Sequence, residues 1–203
     1  MPRYIKIYPN ALPAEFCQRL ITKFEADQNV QPDPQPDYSR RHFLNISVQK
    51  DWVPINMELA RLTDKITKQY FDLPARYAAA IPEDWFDDGY VLARYAVGDT
   101  CTFHADGQCA TPPNNGLRLA TQLFYLNTVK SGGETHFPLQ EVKIQPEIGK
   151  AIMFPPGHTH PHEVLAAGEV RYILQTWITD PDHVVLKADE IDYGEDSGII
   201  YED

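Results

Sequence analysis

Cysteine is scarce in this 203-residue chain: Cys17, Cys101 and Cys109 are the only three, and no two of them form a Cys-x-x-Cys pair. An odd, unpatterned trio argues against a disulfide framework and suits a reducing compartment, so the expected location is cytoplasmic. Long apolar runs are missing as well. No stretch approaches the length that spans a bilayer, which argues against a membrane role. The start, Met1-Pro2-Arg3-Tyr4-Ile5-Lys6, is basic but has no apolar core or cleavage signature after it, so no secretory signal is expected. Positive charge is also short, with 18 Lys and Arg against 29 Asp and Glu. Nine acids and one base fall between Asp180 and Asp203, which leaves 17 bases against 20 acids before that point. The acidity belongs to the C-terminal segment, read as a solvated tail over 186–203. No basic patch compensates elsewhere, which counts against a nucleic-acid partner.

What the chain does have is enough apolar material for a core, at 43% hydrophobic and 11% aromatic residues. That composition describes a folded globule, and the length suits one domain over 1–185. From Leu12-Pro13-Ala14-Glu15 onward, Phe16, Leu20, Ile21 and Phe24 recur at helical spacing. Pro32-Asp33-Pro34-Gln35-Pro36-Asp37 is too proline-rich for regular structure and reads as a loop. Phe43, Ile46 and Val48 suggest a short strand-like stretch. A second helix is expected from Val53 to about Phe71, with Ile55, Leu59, Leu62, Ile66 and Tyr70 on its face and Pro74 stopping it. This makes a helical preface over about 1–75.

From about residue 88 to 180 the texture becomes short β runs: Tyr90–Tyr95, Leu119–Leu126, Glu134–Phe137, Ala151–Phe154 and Tyr172–Ile178. Turn signals such as Ser131-Gly132-Gly133 and Pro155-Pro156-Gly157 separate them. The expected fold is mainly β (α+β): a double-stranded β-helix, or jelly roll of cupin-like type, with the N-terminal helices packed on one sheet.

The chemistry sits in an ordered set of residues. His104 and Asp106 form a His-x-Asp pair, His162-Glu163-Val164 follows downstream, and Arg171 lies nine residues past His162. A lone His-x-Asp is weak, since roughly 0.6 such pairs are expected by chance at this composition. Two imidazoles and one carboxylate, however, make the facial triad of a non-haem Fe(II) site with open positions for a co-substrate and O2. A nearby arginine is what a dicarboxylate co-substrate needs. His158, His160 and His162 alternate, so in an extended segment all three would point one way. The Glu163-Val164 that follows and the interval to Arg171 favour His162, with His160 as the alternative.

These fragments together resemble the prolyl 4-hydroxylase-like branch of the Fe(II)/2-oxoglutarate dioxygenases. The resemblance runs through Arg94-Tyr95-Ala96-Val97-Gly98, Phe103-His104-Ala105-Asp106, Arg118 to Asn127, Gly132-Gly133-Glu134-Thr135-His136-Phe137-Pro138, Gly149 to Phe154, His162-Glu163-Val164, Arg171-Tyr172 and Trp177. It implies Fe(II) on His104, Asp106 and His162, and 2-oxoglutarate held at its distal carboxylate by Arg171 and Tyr125. Tyr95 would lie near the iron-chelating end. O2 is the oxidant, and ascorbate serves as a reductant. Arg118, His136, Arg40 and Trp177 are candidate substrate residues, on loops and strands facing a mouth formed by Pro32–Arg41 and Gln108–Gly116. Gln175 departs from the small hydroxyl residue that relatives place there. Asp106 argues for hydroxylation, because halogenating relatives vacate that position.

The expected activity is hydroxylation of prolyl residues in a peptide or protein, with release of succinate and CO2. The alternatives are a hydroxylase of a free amino acid or small metabolite, an oxygenase acting on nucleic-acid bases, and a non-enzymatic jelly-roll module that binds metal or ligand. The fold cannot choose among substrates.

Overall fold

The computed structural model describes residues 4–72, 85–107 and 116–180. The helix stop at Pro74, Cys109, the insertion that begins at Gln108 and the acidic tail lie outside the described residues.

After a short strand, β1 (Lys6–Tyr8), Pro13 leads into helix α1 (Ala14–Ala26). Proline suits a helix start because the first N–H groups have no intrahelical partner, and Glu15 in the first turn complements the helix dipole. Phe16, Leu20 and Phe24 fall at i, i+4 and i+8 and are buried, as the spacing requires. Gln31 and the first residue of the proline-rich segment, Pro32, form β2 (Gln31–Pro32), which pairs with β3 (His42–Asn45). Pro32 is tolerated there because β2 is the sheet's outermost strand. The strand-like stretch expected through Val48 ends early. The Asn45 side chain accepts from the Ser47 N–H and turns Ile46–Val48 into a single 3-10 turn. Helix α2 then runs over Val53–Tyr70 with Pro54 at its start.

The β half continues with β4 (Phe86–Asp87), β5 (Val91–Tyr95), β6 (Cys101–His104), β7 (Leu117–Tyr125) and β8 (Thr135–Phe137). It closes with β9 (Val142–Ile144), β10 (Ala151–Phe154), β11 (His162–Val164) and β12 (Arg171–Asp180). Two antiparallel sheets form. The large one has the order β1-β10-β7-β12-β5-β3-β2, with β4 also on β12, and the small one has the order β6-β11-β8-β9. This is the double-stranded β-helix expected from the strand spacing.

Alternation along the central strands explains the layers. Leu92, Ala120, Phe124, Leu174 and Ile178 face the helices and join Phe16, Leu20, Phe24 and Leu59 in one core. Ala93, Tyr95, Leu123, Tyr125 and Ile173 face the small sheet and pack with Cys101, Phe137 and Val164 in a second core. The described helices include none long and apolar enough to cross a membrane.

Candidate metal centre

The three residues of the spaced motif meet between the sheets. His104 on β6 and His162 on β11 are register partners across the small sheet, which closes the long sequence gap between them. Asp106 lies two residues past the end of β6, where the Gly107 N–H is anchored on the Pro156 carbonyl at 3.1 Å. A nitrogen from each imidazole and a carboxylate oxygen lie within 4.8 Å of one another, so the trio could hold a metal ion. Both rings are fixed from behind. His104 Nδ1 lies 2.7 Å from the Thr102 carbonyl oxygen, and His162 Nδ1 lies 3.3 Å from that of His160. A carbonyl can only accept, so each Nδ1 carries the proton and each Nε2 is left as a donor atom for metal. Thr121 Oγ1 donates to Asp106 Oδ2 at 2.5 Å and leaves Oδ1 facing the imidazoles.

The three groups are perturbed in different directions. Burial opposes ionisation of Asp106, but His104, His162 and Thr121 outweigh it and hold the acid below the usual carboxylate range. Burial likewise opposes a charged His104, yet its contacts with Asp106 and Cys101 raise its pKa above the ordinary histidine value. Burial lowers that of His162. The two histidines diverge because Asp106 and Cys101 both act on His104, whereas burial is the largest influence on His162.

The extended reading of the three alternating histidines is corrected. Gly157 to His160 forms a turn, His158 is exposed, and only His162 lies in a strand. His160 is buried, within 6.4 Å of the Tyr4 ring, and is not among the residues lining the metal-side cavity. The proline pair at 155–156 and Gly157 bend the backbone, which breaks the alternation.

A cavity of about 260 Å³ opens beside the triad. Arg171, on β12, lies at one side of it, wholly buried. Its Nη2 donates to Thr135 Oγ1 at 3.2 Å, while its Nε and Nη1 have no partner among the described residues. The guanidinium lies over the rings of Tyr95 (5.0 Å) and Tyr125 (5.5 Å). Tyr125 does not line the cavity directly, because its hydroxyl donates to Thr135 Oγ1 at 2.8 Å. Thr135, which sequence reasoning missed, therefore accepts from two neighbours and keeps its own hydroxyl proton for a cavity ligand. Its position depends on the turn before it. At Gly132 (φ +66°) an added Cβ would lie 2.1 Å from the Ala166 carbonyl oxygen, so no other residue fits.

The remaining candidates divide. Arg118 and Trp177 line the cavity and stack at 3.9 Å. Arg118 also donates to the Asp106 carbonyl at 2.9 Å and pairs with Asp88 at 3.3 Å. Simple alternation would turn Arg118 to the helix side with Ala120 and Phe124. A register shift between Ile178 and Thr179 on the partner strand makes a bulge that re-aims it. A similar shift between β6 and β11 lets Cys101 and His104, three residues apart, both face the cavity. His136 sits between the buried Thr135 and Phe137, so it faces outward and pairs with Glu163 at 2.7 Å. Arg40 is exposed outside the cavity, because its neighbour Ser39 turns inward against Cys101. Arg41, Tyr38 and Gln175 line the cavity instead, so only the Pro32–Arg41 side of the expected mouth falls within the described residues. Neither the Ser39 bridge nor either bulge leaves a mark in the sequence.

Residues 90–179 match the family model for the 2OG-Fe(II) oxygenase superfamily. No curated protein sequence matches the chain. Among solved structures, a viral collagen prolyl hydroxylase from Paramecium Bursaria Chlorella virus-1 is similar, with TM-score 0.64 and 21% identity over 88% of this chain and 96% of the other. A Pseudomonas putida prolyl-4-hydroxylase gives TM-score 0.61 and 21% identity over 88% and 93%. A Trichoplax adhaerens prolyl hydroxylase, solved with a hypoxia inducible factor oxygen degradation domain peptide fragment, gives 0.68 and 19% over 88% and 84%. At these identities the likeness is one of fold.

Proposed function

We propose that the chain is a 2-oxoglutarate-dependent dioxygenase, a reading supported by the match of residues 90–179 to the 2OG-Fe(II) oxygenase superfamily, and that it hydroxylates prolyl residues in a peptide or protein, releasing succinate and CO2. The observation that carries the reading is Arg171, a buried guanidinium with two nitrogens unpartnered among the described residues, in the same cavity as the His104–Asp106–His162 cluster. A buried cation with no carboxylate of its own is costly unless a ligand supplies one. The residues therefore fit both implied groups: Fe(II) on the triad and a dicarboxylate on Arg171.

Bound there, Fe(II) with 2-oxoglutarate supplies the O2 activation that a C–H hydroxylation needs. The protein supplies position. His104, Asp106 and His162 would hold the metal on one face, their rings fixed by the Thr102 and His160 carbonyls. Arg171 would grip the distal carboxylate in bidentate fashion, with the Thr135 hydroxyl beside it and Tyr125 bracing Thr135 from behind. Tyr95 would serve the metal-side end. Leu123, Phe154, Val164 and Ile173 line the cavity with apolar surface that excludes stray water.

The peptidyl assignment rests on the entrance. Arg118 and Arg41 are each matched by an acid, Asp88 and Asp33, so neither offers an uncompensated charge to the free carboxylate of an amino acid. Arg118 Nε and Trp177 Nε1 are buried N–H donors without a partner among the described residues, which suits an uncharged backbone carbonyl. The free thiols Cys17 and Cys101 suit a reducing, cytoplasmic setting. The test offers proline-containing peptides, free L-proline and other free amino acids with Fe(II), 2-oxoglutarate and ascorbate. It scores succinate and a product heavier by one oxygen, roughly 16 Da. Peptide turnover is expected. Turnover of a free amino acid with none on any peptide would replace the peptidyl reading with the small-metabolite one.

A further inference from the structure

Arg41 lines the cavity, and the activity as described gives it no contact with metal or co-substrate. It stands one step beyond the His42–Arg94 pair of β3 and β5, opposite Tyr95, and Tyr95 in turn pairs with Arg171 on β12. The order across the sheet is therefore Arg41, Tyr95, Arg171, with the two arginine backbones about 10 Å apart at ordinary strand spacing. Arg41 Nε donates to Asp33 Oδ2 at 2.9 Å, and Asp33 N–H donates back to the Arg41 carbonyl at 2.8 Å, so the loop from 33 to 41 closes on itself. The loop is also pinned to β6: Thr102 N–H donates to the Tyr38 carbonyl at 2.9 Å, and the Tyr38 ring meets His104 edge-on at 5.1 Å. Gln175 Oε1 also accepts from Arg41 Nη1 at 3.5 Å, and the neighbouring Tyr95 hydroxyl is within polar reach of the same guanidinium.

A guanidinium has N–H donors and no acceptor. Whatever accepts from it must turn its own hydrogens elsewhere. Tyr95 and Gln175 are otherwise ambivalent, able to donate or accept, and a carboxamide can flip end for end. Arg41 removes that freedom. With its oxygen toward Arg41, the Gln175 amide presents its NH2 group away from it. With its lone pair on Arg41, the Tyr95 hydroxyl directs its proton away too. Both residues line the cavity, and the cation behind them strengthens both donors.

We propose that the Asp33–Arg41 pair is a positioning device that turns Tyr95 and Gln175 into a donor pair for the metal-side carboxylate of the 2-oxo dicarboxylate, opposite the direct grip of Arg171. The cavity then has two donor poles, Arg171 acting directly and Arg41 through two neutral side chains, matched to a ligand with a carboxylate at each end. This rests on the functional reading above. It also gives Gln175, which departs from the small hydroxyl residue of relatives, a reason to be long: it must reach Arg41 from β12.

The test is calorimetric titration of 2-oxoglutarate into the Mn(II)-loaded protein, where affinity is read without turnover. Arg41→Met is expected to weaken binding about tenfold or more, the ordinary worth of hydrogen bonds to a charged group. Gln175→Met leaves the Asp33–Arg41 pair in place and is expected to weaken it by a smaller factor. In the double variant the losses should fall well short of the product of the two, because Arg41 acts in part through Gln175. Thermal melts of each variant separate loss of fold from loss of affinity. Parental affinity in Arg41→Met and Gln175→Met would overturn the inference while leaving the oxygenase reading intact. So would unchanged 2-oxoglutarate affinity with a raised KM for the peptide, which would assign the donors to substrate. Failure of the parent protein to bind 2-oxoglutarate would overturn the functional reading, and this inference with it.

Discussion

Arg171 has no exposed surface, and among the described residues a neutral threonine oxygen is the hydrogen-bond acceptor its guanidinium meets. Such a residue is costly to folding unless something gives its charge a use. Arg171→Ala is expected to weaken 2-oxoglutarate binding by about two orders of magnitude, since two charge-assisted bonds are lost. Metal affinity should stay near the parental value, and Arg171→Lys should recover only part of the loss because an ammonium lacks the fork. Titration with metal and with 2-oxoglutarate in turn separates the two effects. A sharper contrast lies at the histidines. His162→Ala should abolish tight metal binding and His160→Ala should leave it, because the His160 ring is not among those lining the cavity. At this scale the metal cluster and Arg171 were legible, since their order and intervals survive any folding of the chain between them. Thr135, Arg41 and the cavity-facing turn of Arg118 were not. Each depends on a bulge, a glycine turn or a bridge set by a partner strand, and no local pattern encodes a partner.

Besides the exposed Arg19–Glu58 and Lys23–Asp51 ion pairs, helices α1 and α2 are joined by a polar contact that the apolar stripes do not show. Trp52, just before α2, is fully buried, and its Nε1 donates to Asp27 Oδ2 at 2.7 Å, where Asp27 caps α1. That hydrogen bond, first among several causes, holds the Asp27 pKa below its ordinary value. A depressed carboxylate contributes stability that is present above its unfolded pKa and lost as pH falls through the folded one. Asp27→Ala leaves a buried indole N–H without its partner, so it is expected to cost about 2 kcal/mol at neutral pH. The gap between variant and parent should narrow as pH drops below the usual carboxylate range. Denaturant melts across pH measure it, and a gap that stays constant into acid would exclude the ionised carboxylate as its source. The helices and strands β5, β7, β8, β10 and β12 were legible within a few residues. Strands β6, β9 and β11, of three or four residues, were not; the equally short β8 and β10 were marked by the adjoining turn signals Ser131-Gly132-Gly133 and Pro155-Pro156-Gly157.

The large sheet is what joins these scales. One face is covered by the two helices and the other carries Tyr95, Leu123, Ile173 and Arg171 toward the small sheet. Side chains that form the cavity thus stand on strands fixed from behind, the arrangement that holds a site rigid. The layered plan was legible from the order of helical and β segments. The face each residue takes was legible only where alternation is unbroken. The central claim is that one metal and one 2-oxoglutarate bind side by side, on the triad and on Arg171. Native mass spectrometry of the Mn(II)-loaded protein tests it most directly. The account predicts one metal and one 2-oxoglutarate added per chain, both lost in His162→Ala, with only the 2-oxoglutarate lost in Arg171→Ala. Retention of metal by both His104→Ala and His162→Ala, or of 2-oxoglutarate by Arg171→Ala at the parental level, would contradict it.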